Sequence, residues 1–253
     1  MKASDIEGIG FGFPGQIDCK KGVVRLAPNI PGWVNVPIAS IMEKEFGIPT
    51  RVDNDVRTAA LGELNYGAGV GCENLVCITV GTGIGSGLVI NGKLVRGADN
   101  AAGEIGHIHI EDKEADTCGC GNHGCLEQYA SATGIVRLAK RRLDADNKDS
   151  VLRQGEVSAK TVFDAVKAGD EVACEIAEQF GQYLGKGLAA IAAVVNPEAF
   201  VIGGGVSKAG DILCQYITKY YEKYAFHGCK NAQFKLATLG NDAGIYGAAK
   251  LVL

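Results

Sequence analysis

The chain has 253 residues, a formal net charge of −4, and acidic and basic residues interspersed throughout. That length and apolar content support one large domain or two modest ones, and the lack of a basic stripe argues against direct binding of nucleic acid. The longest apolar run, 188–195, is far too short to span a bilayer, and Met1-Lys2-Ala3-Ser4-Asp5 opens no secretory signal.

In chain order, Ile9-Gly10-Phe11-Gly12-Phe13-Pro14-Gly15 reads as a strand entering a glycine-bearing turn. Residues 37–46 read as a short helix, with Pro37 in its first turn and Gly47 as its stop. A strand over 48–52 runs into Asp53-Asn54-Asp55, and a helix follows to about Tyr66. A second strand, 74–80, enters Gly81-Thr82-Gly83-Ile84-Gly85-Ser86-Gly87, and Asn91-Gly92 between apolar runs predicts a hairpin turn. The stretch 144–154 reads as an exposed loop. Ser158 opens a helix closed by Gly169. From Asp170 a longer helix carries Val172, Ile176, Phe180, Leu184, Leu188 and Ile191 at spacings of three and four, and Pro197 ends it. A short buried strand, Phe200-Val201-Ile202, enters Gly203-Gly204-Gly205. A helix over about 210–224, a strand over 234–239 and a glycine-rich terminal helix complete the chain. Alternating strands and helices imply an α/β fold with covered sheets.

Several constellations could carry chemistry. The glycines at 81–87 let backbone amides approach an anion closely, yet a tight strand-to-strand turn explains them as well. A dinucleotide-binding fingerprint needs a helix directly after its glycines, and a hairpin follows here. Asp53-Asn54-Asp55 sits at a strand-to-helix junction, where a carboxylate can serve as general base for a hydroxyl or simply cap the helix. Cys118-Gly119-Cys120-Gly121-Asn122-His123-Gly124-Cys125 places three thiols in eight residues, just after His107-Ile108-His109-Ile110, whose alternation predicts two histidines on one face. Three Cys and one His make a closed tetrahedral zinc set; a disulfide with a spare thiol is the alternative, and spacing leaves open which histidine completes the set. Nine cysteines without a secretory context favour a reduced cytosolic protein, and the other six read as small core residues. Glu104 and Glu127 flank the cysteine loop and could bind a polyol or remain ordinary surface carboxylates.

In this order the pieces resemble the ROK family of sugar kinases and sugar-responsive repressors, over nearly the whole chain. The resemblance rests on Gly12-Phe13-Pro14-Gly15, on Val52-Asp53-Asn54-Asp55 through Ala59-Ala60-Leu61-Gly62-Glu63, and on Thr79 to Gly85. It rests also on Gly103-Glu104-Ile105-Gly106-His107 with the cysteines, and on Val201-Ile202-Gly203-Gly204-Gly205-Val206. Ala27-Pro28-Asn29, Trp33 and Ala130-Ser131-Ala132-Thr133-Gly134 are most similar to the bacterial glucokinase branch.

The resemblance implies a two-lobed actin-like ATPase (ribonuclease H-like) fold. The small lobe would comprise 1–72 with the terminal helix 242–253, the large lobe 73–241, and the site would lie in the cleft. It implies Asp55 as the base for a sugar 6-hydroxyl, with Asn54 on the neighbouring hydroxyl. Glu104, His107 and Glu127 would hold ring hydroxyls, and Gly15 and Asn29 would be further sugar contacts. Gly81, Thr82 and Gly83 would face ATP phosphates, and Gly204 and Gly205 the nucleoside. His107, Cys118, Cys120 and Cys125 would hold a structural Zn2+, Mg2+ would travel with ATP, and a homodimer is expected. The family's opening D-x-G-G-T-K phosphate loop is absent from the sequence, which implies an incomplete small lobe and impaired turnover. The expected activity is ATP-dependent phosphorylation of glucose, with a repressor's sugar-sensing domain or a kinase for another hexose as alternatives.

Overall fold

The computed structural model describes residues 5–27 and 30–253. The chain forms two compact units. The first comprises Met1–Ile78, Ser86–Gly103 and Ala237–Leu253; the second comprises Thr79–Gly85 and Glu104–Leu236.

In the first unit, β1 (Ile9–Phe13) pairs in parallel with β5 (Thr50–Asn54), Phe13 facing Asn54 in register. Between them β2 (Gln16–Asp18), β3 (Val23–Leu26) and β4 (Val34–Val36) form a small antiparallel sheet. These three strands have no counterpart in the sequence reading, because three or four residues are too few to display a period. They close over an apolar cluster of Ile17, Val24, Ala27, Ile38 and Val52, with Phe13 and Trp33 against it. Helix α1 (Ile38–Phe46) starts after Pro37 and stops at Gly47, whose left-handed φ of 67° lets its N–H reach Glu43. Helices α2 (Asp55–Tyr66) and α8 (Ala243–Lys250) cross so closely that a Cβ on Gly247 would lie 1.6 Å from the Thr58 carbonyl oxygen. The Glu63 carboxylate, fully buried, accepts the N–H groups of Ala68 and Leu239, each at 2.8 Å, and so joins α2 to the segment ahead of α8. The outer part of β7 (Ile84–Ile90) turns through Asn91 and Gly92, both at positive φ, into β8 (Lys93–Leu94).

In the second unit, β10 (Gln233–Leu236) lies parallel to β9 (Ala199–Gly203), and the end of β6 (Leu75–Val80) neighbours β9. Five further helices cover it: α3 (Glu127–Ala130), α4 (Ala132–Ala145), α5 (Ala159–Lys167), α6 (Glu171–Val195) and α7 (Asp211–Tyr224). The starts of α4, α5 and α6 carry side-chain caps, that of α4 being Ser131, which accepts the Gly134 N–H. Ser158 and Thr161 form a capping box on α5, and Asp170 accepts the Ala173 N–H on α6. The six apolar residues noted along α6 are all buried, and Asn196 in the left-handed region ends it ahead of Pro197. Phe200, Tyr221 and Phe234 pack with ring centroids 5.0–5.5 Å apart.

Two expectations need refinement. The stretch 144–154 is exposed as expected apart from Ser150 and Leu152, but helix α4 takes its first two residues, and Arg153 ties the loop down by donating to the carbonyls of Leu143, Asp146 and Lys148. Of the six scattered cysteines, Cys77 and Cys229 are buried, but Cys19, Cys72, Cys174 and Cys214 are only partly so.

Candidate active site and metal centre

In the first unit, the junction between β5 and α2 sets three consecutive polar side chains to three tasks. Asn54 caps α2, its carbonyl oxygen accepting the N–H groups of Val56 (3.0 Å) and Arg57 (3.2 Å), while its amide donates to the Gly15 carbonyl at 3.3 Å. Capping thus falls to Asn54 and leaves Asp55 exposed, with a local bond from the Val56 N–H at 3.0 Å. Asp55 lines a hollow of about 600 Å³ together with Gly10, Gly12, Thr58, Asn241 and Gly244. Asp53 is fully buried and accepts from Arg57 Nε (2.6 Å), Arg96 Nε (2.8 Å), the Asn54 N–H (2.8 Å) and the Cys19 thiol (3.1 Å). Burial alone would raise the Asp53 pKa; the two guanidinium groups outweigh it and hold the carboxyl below its usual range. Burial, with the Asp53 charge adding to it, pushes the Cys19 thiol up to about 11. Asn29 lies outside the described residues.

In the second unit, the Nδ1 or Nε2 of His107 and the Sγ atoms of Cys118, Cys120 and Cys125 all lie within 4.8 Å of one another. Cys120 and Cys125 are 3.6 Å apart, and Cys118 is 3.7 Å from His107 Nδ1. Bonds of ~2.3 Å at tetrahedral angles put thiolate sulfurs about 3.8 Å apart, whereas a disulfide needs ~2.05 Å. The set therefore has the dimensions of a closed tetrahedral ion site. Burial pushes the Cys125 thiol up to about 12, while a backbone bond from Asn122 holds the Cys120 thiol below its usual range.

Only His107 of the two joins the ligand set, and Ile105–His107 is a 3₁₀ turn rather than the strand their alternation predicted. His109 instead rests on the edge of the cysteine loop, with Nδ1 at 2.9 Å from the His123 carbonyl and Nε2 at 2.8 Å from Asp112. His123 is likewise outside the ligand set. The Cys118 N–H reaches Asn122 and the Gly121 N–H reaches Cys118, folding the loop tightly around its thiols.

The cysteine loop leads directly into Glu127, and Glu127 touches the glycine loop. Its Oε2 accepts the Ile84 N–H at 2.8 Å. A Cβ on Gly83 would lie 2.2 Å from that same oxygen. Gly83 is not at positive φ, so a larger residue there would be opposed only through space, by displacing the Glu127 carboxylate. The start of α4 adds two further ties: the Ala132 N–H donates to Gly81 O and the Thr133 hydroxyl to Thr82 O, both at 2.8 Å. Glu104 stands one residue ahead of the 105–107 turn, and Gly106 packs on the Ile84 carbonyl, 2.5 Å from where a Cβ would be. At the end of β9, Gly204 has φ of 84°, and a Cβ there would collide with Val80 O at 2.5 Å. Gly205 lines a hollow of about 150 Å³ with Phe163, Val206, Lys160 and Lys208.

These features match one family along the whole chain, whose profile aligns with residues 1–253. The chain belongs to the ROK family. It is 45% identical over 255 residues to a glucokinase of Halalkalibacterium halodurans, covering 98% of this chain and 77% of that protein. The crystal structure of a ROK family glucokinase from Streptomyces griseus in complex with glucose and AMPPNP superposes with a TM-score of 0.82 at 39% identity, covering 98% of this chain and 81% of that one. A xylose repressor of Caldicellulosiruptor bescii is 32% identical over 98% of this chain and 63% of its own length. The fold is accordingly the α/β, actin-like ATPase fold of ROK sugar kinases. Among the described residues, no helix is long and apolar enough to cross a membrane.

Sequence reasoning missed two arginine-braced carboxylates. Arg57 stands four residues after Asp53 on a predicted helix, a spacing that could have revealed the pair. Arg96, 43 positions away, gives no local signal. Glu114, also buried, accepts from Arg141 through both oxygens (3.1 and 3.2 Å), and from Arg137 and the Tyr129 hydroxyl.

Proposed function

We propose that the chain transfers the γ-phosphoryl group of ATP to the 6-hydroxyl of glucose. The observation that carries this reading is the 2.8 Å bond between Glu127 Oε2 and the Ile84 N–H. It joins a carboxylate suited to sugar hydroxyls to a glycine loop suited to phosphate, on the segment that follows the Cys/His site. The identity to named glucokinases supports it.

In this reading Asp55 takes the proton of the 6-hydroxyl as its oxygen attacks the γ-phosphorus. The new O–P bond forms as the bond to the ADP oxygen breaks, and ADP departs with that electron pair. Asn54 holds the neighbouring hydroxyl, Gly15 and Asn29 border the sugar, and Glu104, His107 and Glu127 take ring hydroxyls. The amides of Gly81, Thr82 and Gly83 face the phosphates, and Gly204 and Gly205 the nucleoside. Magnesium bound to ATP would supply neutralising charge at the phosphates. Zinc held by His107, Cys118, Cys120 and Cys125 would order the loop that carries Glu127.

A coupled ADP-release assay across glucose, N-acetylmannosamine, fructose and allose tests the reading. The highest kcat/KM is expected with glucose; no ADP release with any sugar would overturn it. A second reading, the sugar-sensing domain of a repressor, is favoured by the alignment to the xylose repressor. It is the outcome if sugar binds and no ADP is released.

A further inference from the structure

The glycine loop is held by side chains and backbone of one neighbouring segment, and the way it is held decides where its amides point. In a trans peptide the C=O and N–H point in opposite directions within one plane. The chain has no cis peptide among the described residues. The Ala132 N–H pulls the Gly81 carbonyl toward the start of α4, which turns the Thr82 N–H the opposite way. The Thr133 hydroxyl pulls the Thr82 carbonyl in the same manner, which does the same for the Gly83 N–H. Two consecutive amides directed away from their carbonyl anchors make the kind of concavity that binds an anion.

The first tie is main chain and survives substitution. The second depends on one hydroxyl. That hydroxyl has a buried neighbour: Ser131 Oγ lies 2.9 Å from Thr133 Oγ1 and 2.7 Å from the Glu127 carbonyl, and where its single proton goes to Thr133 the Thr133 proton is left for the Thr82 carbonyl. The chain of contacts thus runs from Glu127 through Ser131 and Thr133 to the Thr82–Gly83 peptide.

We propose that Thr133 is a positioning residue for the nucleotide, aiming the Gly83 amide at phosphate through the Thr82 carbonyl. The inference rests on the kinase reading above. It predicts a divided effect, since Thr133 acts on the phosphate loop while the groups assigned to glucose lie on other residues.

The test compares Thr133→Val, which keeps the shape and removes the hydroxyl, with Thr133→Ser, which keeps the hydroxyl. Calorimetry with AMPPNP and, separately, with glucose reads both arms without turnover. Losing one positioning hydrogen bond is worth roughly a five- to tenfold change in binding. Thr133→Val should weaken AMPPNP by that factor and leave glucose within about twofold. Thr133→Ser should bind AMPPNP like the parent. Equal AMPPNP affinity in Thr133→Val would overturn the inference. So would an equal loss in Thr133→Ser, which would assign the effect to the methyl group. A parent protein that binds glucose but no AMPPNP would overturn the kinase reading, and this inference with it.

Discussion

The two units carry their candidate chemistry in opposite ways. In the first, three adjacent residues divide the work: Asp53 is buried under two arginines, Asn54 caps α2, and Asp55 is left exposed at the helix start. In the second, the candidate groups come from several separated segments: 81–84, 104–107, 118–127 and 131–133. They are held by hydrogen bonds between those segments and by the clustered thiols. A reactive group on a finished element can be changed without disturbing the element. A group that exists because loops were gathered together cannot. The first unit should therefore separate function from stability under mutation, and the second should not.

The sharpest attempt to break that contrast is Asp55→Asn. The amide oxygen can still accept the Val56 N–H, so α2 should start as before. It cannot take a proton. Turnover, in conditions where the parent is active, should fall by about 10²–10⁴-fold. Glucose affinity should stay within about tenfold and Tm should stay unchanged. Unchanged kcat would remove Asp55 from the role of base, and a large drop in Tm would remove the contrast.

The matching experiment in the second unit is removal of the metal set. Elemental analysis of metal-replete protein should find about one zinc per chain. Cys120→Ala, or chelation, should lower Tm by on the order of 10 °C, because a site assembled only in the folded state contributes its binding energy to folding. Glucose binding should weaken in the same sample, since Glu127 follows Cys125 by two residues. Protein lacking zinc when purified, or stability indifferent to Cys120, would refute the metal centre.

The same contrast governs how much could be read from sequence. Helix α1 announces both its ends in Pro37 and Gly47, α6 displays its buried stripe, and Asn91-Gly92 marks its turn; each signal lies within a few residues. The cysteine loop was legible because its three thiols lie within eight residues, and the assignment of His107 came from family resemblance rather than from spacing. The alternation His107-Ile108-His109 misled, because a 3₁₀ turn replaced the strand that alternation implies. The sheet β2–β4 was invisible: its stability comes from closing on Ile38 and Val52, which lie elsewhere in sequence. Arg96 on Asp53 and Arg137 and Arg141 on Glu114 were missed for the same reason, as each pair meets across 20 to 45 intervening residues.

The smallest expected effect concerns those two carboxylates and acid. Burial raises the pKa of Glu114, yet its bonds from Arg141, Tyr129 and Arg137 prevail and bring it down to about 2, against 4.5 for the free side chain. A depressed folded-state pKa contributes stability that is fully present above the unfolded value and lost as pH falls through the folded one. The window for Glu114 therefore runs from about 4.5 down to about 2. Asp53 is also depressed, so its contribution is lost only below its free value of 3.8. Between pH 4.5 and 3.8 the loss should thus begin mainly at Glu114 and hence in the second unit. Tm measured against pH for the parent and for Glu114→Gln checks this. The variant should be less stable at neutral pH, and the two curves should converge toward pH 2. Taking the difference between them also cancels acid release of a metal by protonated cysteines, which affects both proteins equally. Parallel curves across that range would show that Glu114 keeps an ordinary affinity for its proton, and that its arginines brace the fold by shape rather than by charge.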